Sequence, residues 1–122
     1  MTVLMLGKHL ELGLYRAEYL RSHGYNVIFP ATRQEAVASV NAGGYDVVVL
    51  SYTLTDGTAI ELRDLIEQTS PNCPVITLTE KRWFDQKIES DKVVLVSEGP
   101  DALLEAVNSF DHKGEKGLRR LK

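Results

Sequence analysis

Four residues able to do polar chemistry stand where apolar runs stop. Lys8 lies two residues past VLML, Ser51 directly after DVVVL, Thr79 after PVITL and Ser97 after KVVLV. One ammonium and three hydroxyls are the makings of an anion site, a cationic, hydroxyl-lined pocket for a phosphate or carboxylate. They do not by themselves make a covalent catalyst. A serine hydroxyl is a poor nucleophile until a base or metal activates it, and the sequence shows no activated nucleophile, metal-ligand set or phosphate-cradling glycine loop. Each residue also has a plain structural reading. Ser51 ends a strand and caps a turn, and Lys8 is either a fixed cation paired with Glu11, Glu80 or Glu98 or a solvated side chain at a loop mouth. Asp56 before Gly57 reads as a turn pair, and His9 as a polar loop residue. Trp83 and Phe84 are adjacent large aromatics that either cover their own segment or stand exposed as an interface anchor.

These residues are only useful if elements bring them together. Five runs of strand length recur, at residues 2–6, 26–29, 46–50, 74–78 and 92–96, continuous rather than alternating and rich in Val, Ile and Leu. That is the pattern of parallel strands covered on both faces. Helical stripes separate them: Leu10, Leu14, Ala17 and Leu20; then Ala36, Val37 and Val40; then Ala59, Leu62, Leu65 and Ile66; finally Leu103, Leu104 and Val107. Thr32 to Glu35 has the form of a capping box, and Pro100 with Asp101 suits the first turn of the last helix. Strands alternating with helices predict a doubly wound (βα)5 sandwich, a flavodoxin-like parallel five-stranded sheet of order 2-1-3-4-5. In that topology strand ends at one edge of the sheet are where ligands collect.

The bulk composition narrows the function. At 122 residues, 43% hydrophobic and 25% charged, the chain suits a single folded domain, and a net charge of -3 gives no reason to expect nucleic-acid binding. Cys73 stands alone, so neither an internal disulfide nor a structural zinc is expected, and a reducing cytoplasm fits best. No run approaches the ~20 apolar residues of a membrane span, and the amino terminus lacks the basic start of a signal peptide. Residues 2–110 are expected to form the domain, with 111–122 a basic tail or linker.

With those elements laid out, residues 2–110 resemble the CheY-like receiver domain of bacterial response regulators. The stretch YDVVVLSYTLTDGTAIEL carries most of the likeness, PNCPVITLT and VVLVSEGPDALLEAV the rest. In that family the third strand ends in a phospho-accepting aspartate, two acids after strand one hold Mg²⁺, a lysine neutralises the phosphoryl group and a hydroxyl senses it. Carried over position by position, the two acids fall on Gly7 and Lys8, the acceptor on Ser51 and the lysine on Ser97, with Glu98 replacing the following proline. Only the hydroxyl is kept, as Thr79, while the strand-five aromatic falls on Val94. The segment between Thr79 and Ser97 is also about one helical turn short, so its helix is expected to be small or absent. The resemblance therefore implies a pseudo-receiver: not an enzyme, with no metal or cofactor, contacting a protein partner or a second copy of itself in two-component-type signalling, and touching neither membrane nor nucleic acid. Two other readings stay open. One is a phosphorelay receiver with an atypical acceptor; the other is an anion or small-ligand domain using the switch-point crevice.

Overall fold

The computed structural model describes residues 1–8, 10–51, 54, 56–80 and 90–111. Its sheet is parallel and five-stranded, in the order β2-β1-β3-β4-β5. The strands are β1 (Thr2–Leu6), β2 (Asn26–Ile28), β3 (Val47–Ser51), β4 (Val75–Thr79) and β5 (Lys92–Leu95). Between and after them run α1 (Leu10–Ser22), α2 (Arg33–Ala42), α3 (Asp56–Thr69) and α4 (Pro100–Asn108), with a 3-10 turn over Val96–Glu98. This is the expected doubly wound order.

Alternation along the strands splits the core into two layers, because successive side chains leave a strand on opposite faces. Val3, Met5, Val47 and Val49 pack with Ala17 and Leu20 of α1 and Leu103 and Val107 of α4. Leu4, Leu6, Val48 and Leu50 pack on the other face with Ala36 and Val40 of α2 and Leu62 and Ile66 of α3. Both faces being covered is why β1, β3 and β4 read as unbroken apolar runs.

The α1 stripe differs from the expectation. Leu14 is 45% exposed, and the buried line runs instead through Gly13, Ala17 and Leu20. The ring of Phe29, leaving β2, occupies the space that a side chain at position 13 would fill: a Cβ built on Gly13 would lie 2.0 Å from Phe29 Cζ. A glycine contributes nothing to a hydrophobic pattern, so the period settled on its neighbour. The Asp56-Gly57 pair is likewise not a free turn, since α3 already starts at Asp56 and Gly57 lies in its first turn. Glycines with positive φ stand elsewhere, at positions 24, 43, 44 and 99. At α2 the Thr32 hydroxyl accepts from Glu35 N as expected, but the Glu35 carboxylate reaches one residue further back, accepting from Ala31 N at 3.0 Å.

Two aspartates fasten the amino-terminal edge of the sheet in the same way. Asp46 N donates to Thr2 O while its carboxylate accepts from Thr2 N at 2.7 Å. Asp91 repeats both contacts on Val75, its carboxylate again at 2.7 Å. Each aspartate directly precedes one strand and clamps the first residue of its neighbour. Tyr19 of α1 donates to Asp101 of α4, and the Tyr25 hydroxyl donates to Asn108, tying the two helices of one face together.

Candidate functional site at the carboxyl edge

All five strands run the same way, so their carboxyl ends form one edge, and the register fixes how those ends align. Leu6 of β1 pairs with Leu50, Ser51 with Leu78, and Thr79 with Leu95. Ser51 and Thr79 are thus the last residues of adjacent strands. Gly7 and Lys8 follow β1 immediately, and Ser97 sits on the 3-10 turn that continues β5. The five sequence-derived positions all lie at this edge, although in different surroundings. Thr79 is 7% exposed, Ser51 is half-buried, and Lys8 and Ser97 are exposed.

Local structure explains the placement. The Ser51 carbonyl accepts from Leu54 N at 3.1 Å, which closes the turn that ends β3. Register pairing puts Ser51 level with Leu78, whose side chain lies in the α1/α4 layer, whereas Thr79 is of the opposite parity. At β5, Glu98 folds back so that its carboxylate accepts from Leu95 N at 3.4 Å. Val94, onto which the resemblance carries the receiver aromatic, is buried at 5% exposure. A β-branched valine there has no ring to swing between an inner and an outer rotamer.

Magnesium needs hard oxygen ligands in octahedral geometry. Directly after β1 stand Gly7, with no side chain, and Lys8, a cation, the positions onto which the resemblance carries the two metal-binding acids. These residues do not fit the ion. Among the described residues no three His, Cys, Asp or Glu side chains gather to hold a metal. Trp83, Phe84 and the segment expected to carry a small helix or none fall in 81–89, outside the described residues, as do His9 and the tail from 112.

Among the described residues a cleft opens near this edge on each face of the sheet. The first, about 230 Å³, lies on the α2/α3 side and takes in Gly7 and Lys8 together with Arg33, Leu54 and Thr58. Ser51, Thr79 and Ser97 are not among its described lining residues, so it is not the hydroxyl-lined crevice expected from the sequence. Arg33, Leu54 and Thr58 went unnoticed as site residues because they belong to separate segments with no shared spacing. The second cleft, about 170 Å³, lies between α1 and α4 and is bounded by Leu12, Tyr15, Leu78 and Pro100. Leu12, Leu14 and Tyr15 leave α1 with three large apolar side chains in solvent, at 42%, 45% and 58% exposure. Sequence periodicity hid that patch by assigning Leu14 to the core. No helix among the described residues is long and apolar enough to cross a membrane.

No protein-family model matches the chain. The swarming motility regulation protein RssB of Serratia marcescens is 26% identical over 90 residues, which are 74% of this chain and 41% of that protein. The match thus spans about two-fifths of the relative's length. Among solved structures, the chemotaxis response regulator CheY4 of Vibrio cholerae superimposes with a TM-score of 0.78 at 18% identity, covering 90% of this chain and 98% of its own. The response regulator TrrA of Thermotoga maritima, in complex with Mg²⁺ and BeF, gives 0.78 at 22% identity with the same coverage. A two-component response regulator from Clostridium difficile gives 0.76 at 20% identity over 100% of this chain and 98% of its own. With strand order, register and these superpositions in agreement, the chain has the receiver fold of CheY-like response regulators.

Proposed function

We propose that residues 2–110 act as a receiver-like regulatory module that does not take up phosphate and works by contact with a protein partner or a second copy of itself. The observation that carries this reading is the makeup of the carboxyl edge: the positions matching the metal-binding acids, the acceptor and the lysine hold Gly7, Lys8, Ser51 and Ser97. Phosphoryl transfer depends on charge neutralisation around the transferred group and on a metal to bridge it. A hydroxyl at Ser51 with an ammonium at Lys8 supplies neither the carboxylate nucleophile nor the metal. Lys8 also adds a positive charge where the ion would sit, which opposes residual affinity for it. The module is then regulatory rather than enzymatic, belongs in the cytoplasm and makes no nucleic-acid contact, with 111–122 as its linker or tail. The apolar side chains exposed on α1 provide a contact surface of the kind that partners cover.

Amide chemical shifts test the reading directly. Spectra with and without Mg²⁺ and beryllofluoride should overlay at Gly7, Ser51, Thr79 and Ser97. Treatment with acetyl phosphate should leave no label on the protein, and Ser51→Asp alone should not restore labelling, since the other parts stay missing. Saturable shifts centred on Ser51, or retained phosphate, would refute the proposal.

A further inference from the structure

We infer that the cleft between the end of β1, the β2–α2 turn and α3 binds a small uncharged apolar molecule, of the size of a single aromatic ring with a short substituent. The floor is carbon. Leu6, Ala36 and Leu62, at 2%, 6% and 1% exposure, belong to the α2/α3 core layer, and Leu54 packs against it. Pro30 and Ala31 continue the apolar surface along the β2–α2 turn. An open concave surface of this kind gives a ligand of matching shape apolar area to bury.

The polar groups around that floor are already engaged. The Thr32 hydroxyl accepts from Glu35 N, and Arg33 gives two N–H groups to Glu61, Nε reaching Oε1 at 2.8 Å. Lys8 and Thr58 have interactions of their own. Among the described residues no buried side-chain nitrogen or oxygen lacks a hydrogen-bond partner. An incoming molecule thus meets no charge or donor in want of a partner, and an ion would give up its hydration without compensation. Water is held as poorly, because it needs about two to four polar partners and the floor offers none. Its replacement by carbon is favourable. The volume sets the size: at about 230 Å³ the cleft exceeds the ~150 Å³ of an apolar cavity that takes up benzene and falls below the roughly 300–1,000 Å³ of drug-sized sites. Arg33 also lines the outer groove between α2 and α3, where Glu61 stands, so their ion pair is a bar between that groove and the cleft. The ligand is bounded on that side. This site is separate from Ser51 and stands whether or not the domain takes phosphate.

The probe is toluene, with benzoate and benzylammonium as anionic and cationic counterparts on the same ring, followed by methyl and amide shifts of the whole chain. Toluene should give saturable shifts centred on the methyl groups of Leu6, Ala36, Leu54 and Leu62 and on the amides of Gly7 and Ala31. Benzoate and benzylammonium should each bind at least about tenfold more weakly, since neither charge finds a partner to offset its lost hydration. Ala36→Leu should fill the floor and abolish the toluene shifts; should that variant fail to fold, the two charged counterparts carry the test. The inference is overturned if toluene gives no saturable shifts up to its solubility limit, or if they centre on Leu12, Leu78 and Val96 in the opposite cleft. It is equally overturned if either ion binds within about tenfold of toluene, or if a folded Ala36→Leu variant binds toluene as the parent does.

Discussion

Replacing Gly13 by alanine should destabilise the protein even though alanine is the better helix former. In an unconstrained helix interior the change is worth about 1 kcal/mol in favour of alanine. Here the new methyl would meet Phe29 Cζ at 2.0 Å and both Cε atoms at 2.7 Å, well inside the ~3.5–4.0 Å of an ordinary carbon contact. The ring must retreat by about 1.5–2 Å, giving up packing on the α1/α4 layer, and overpacking of this kind costs about 1–3 kcal/mol. Taking a cost of about 2–3 kcal/mol for so short a contact, the net loss is about 1–2 kcal/mol, or roughly 4–8 °C in midpoint for a domain this size. Far-UV circular dichroism during urea and thermal unfolding would measure it. The decisive comparison is Phe29→Leu, which removes the ring tip. In that background Gly13→Ala should turn stabilising by about 0.5–1 kcal/mol, a coupling of about 2 kcal/mol between the two positions. A Gly13→Ala single variant that melts higher than the parent would refute the ring-on-glycine packing. Because Pro30 and Ala31 follow Phe29 and wall the 230 Å³ cleft, the same variant should also shift their neighbours' amide resonances.

Asp46→Ala and Asp91→Ala should each cost about 1 kcal/mol, the value of one carboxylate-to-amide bond at a partly solvated edge, and the two should add because they clamp different strand pairs; urea midpoints that do not move would refute the clamps. Burial, with Asp46 and Asp91 adding to it, pushes the Cys73 thiol up to about 11 from 9.0. The folded state then favours the protonated thiol, so this contribution to stability is whole below pH 9.0 and is lost as pH rises towards about 11. Native-state alkylation by iodoacetamide should keep accelerating towards that value, whereas a plateau near the unfolded thiol's 9.0 would contradict it. Installing the full receiver set, Gly7→Asp, Lys8→Asp, Ser51→Asp and Ser97→Lys together, should create Mg²⁺-dependent amide shifts at the carboxyl edge. Their absence would mean that these positions do not converge as the register implies.

The three central strands were legible because they are buried on both faces and so write unbroken apolar runs, whereas β2 and β5 at the sheet's margins are partly exposed. Their order followed from crossover handedness, and Ser51 and Thr79 were found by lying at the ends of such runs. What escaped had no periodic mark. Gly13 carries no side chain, and the ring that fills its place is 16 positions away in the chain. Asp46 and Asp91 look like ordinary polar residues before a strand, and only the register shows that each reaches its neighbour's first residue. The Asp56-Gly57 pair has turn chemistry but sits where α3 has already begun, so helix formation overrode the local preference. The cleft draws its walls from the end of β1, the β2–α2 turn and the start of α3, a grouping that no spacing in the sequence encodes.

The two aspartate clamps bear on what the scaffold can tolerate. Fastening of the sheet by these side chains is concentrated at the edge where the strands begin, while the residues that set its chemistry stand where they finish. Substitution at the finishing edge therefore leaves the clamps untouched. A chain fastened this way can vary the residues at its finishing edge and still register its strands correctly, so architecture and site chemistry are set at opposite ends of the same strands.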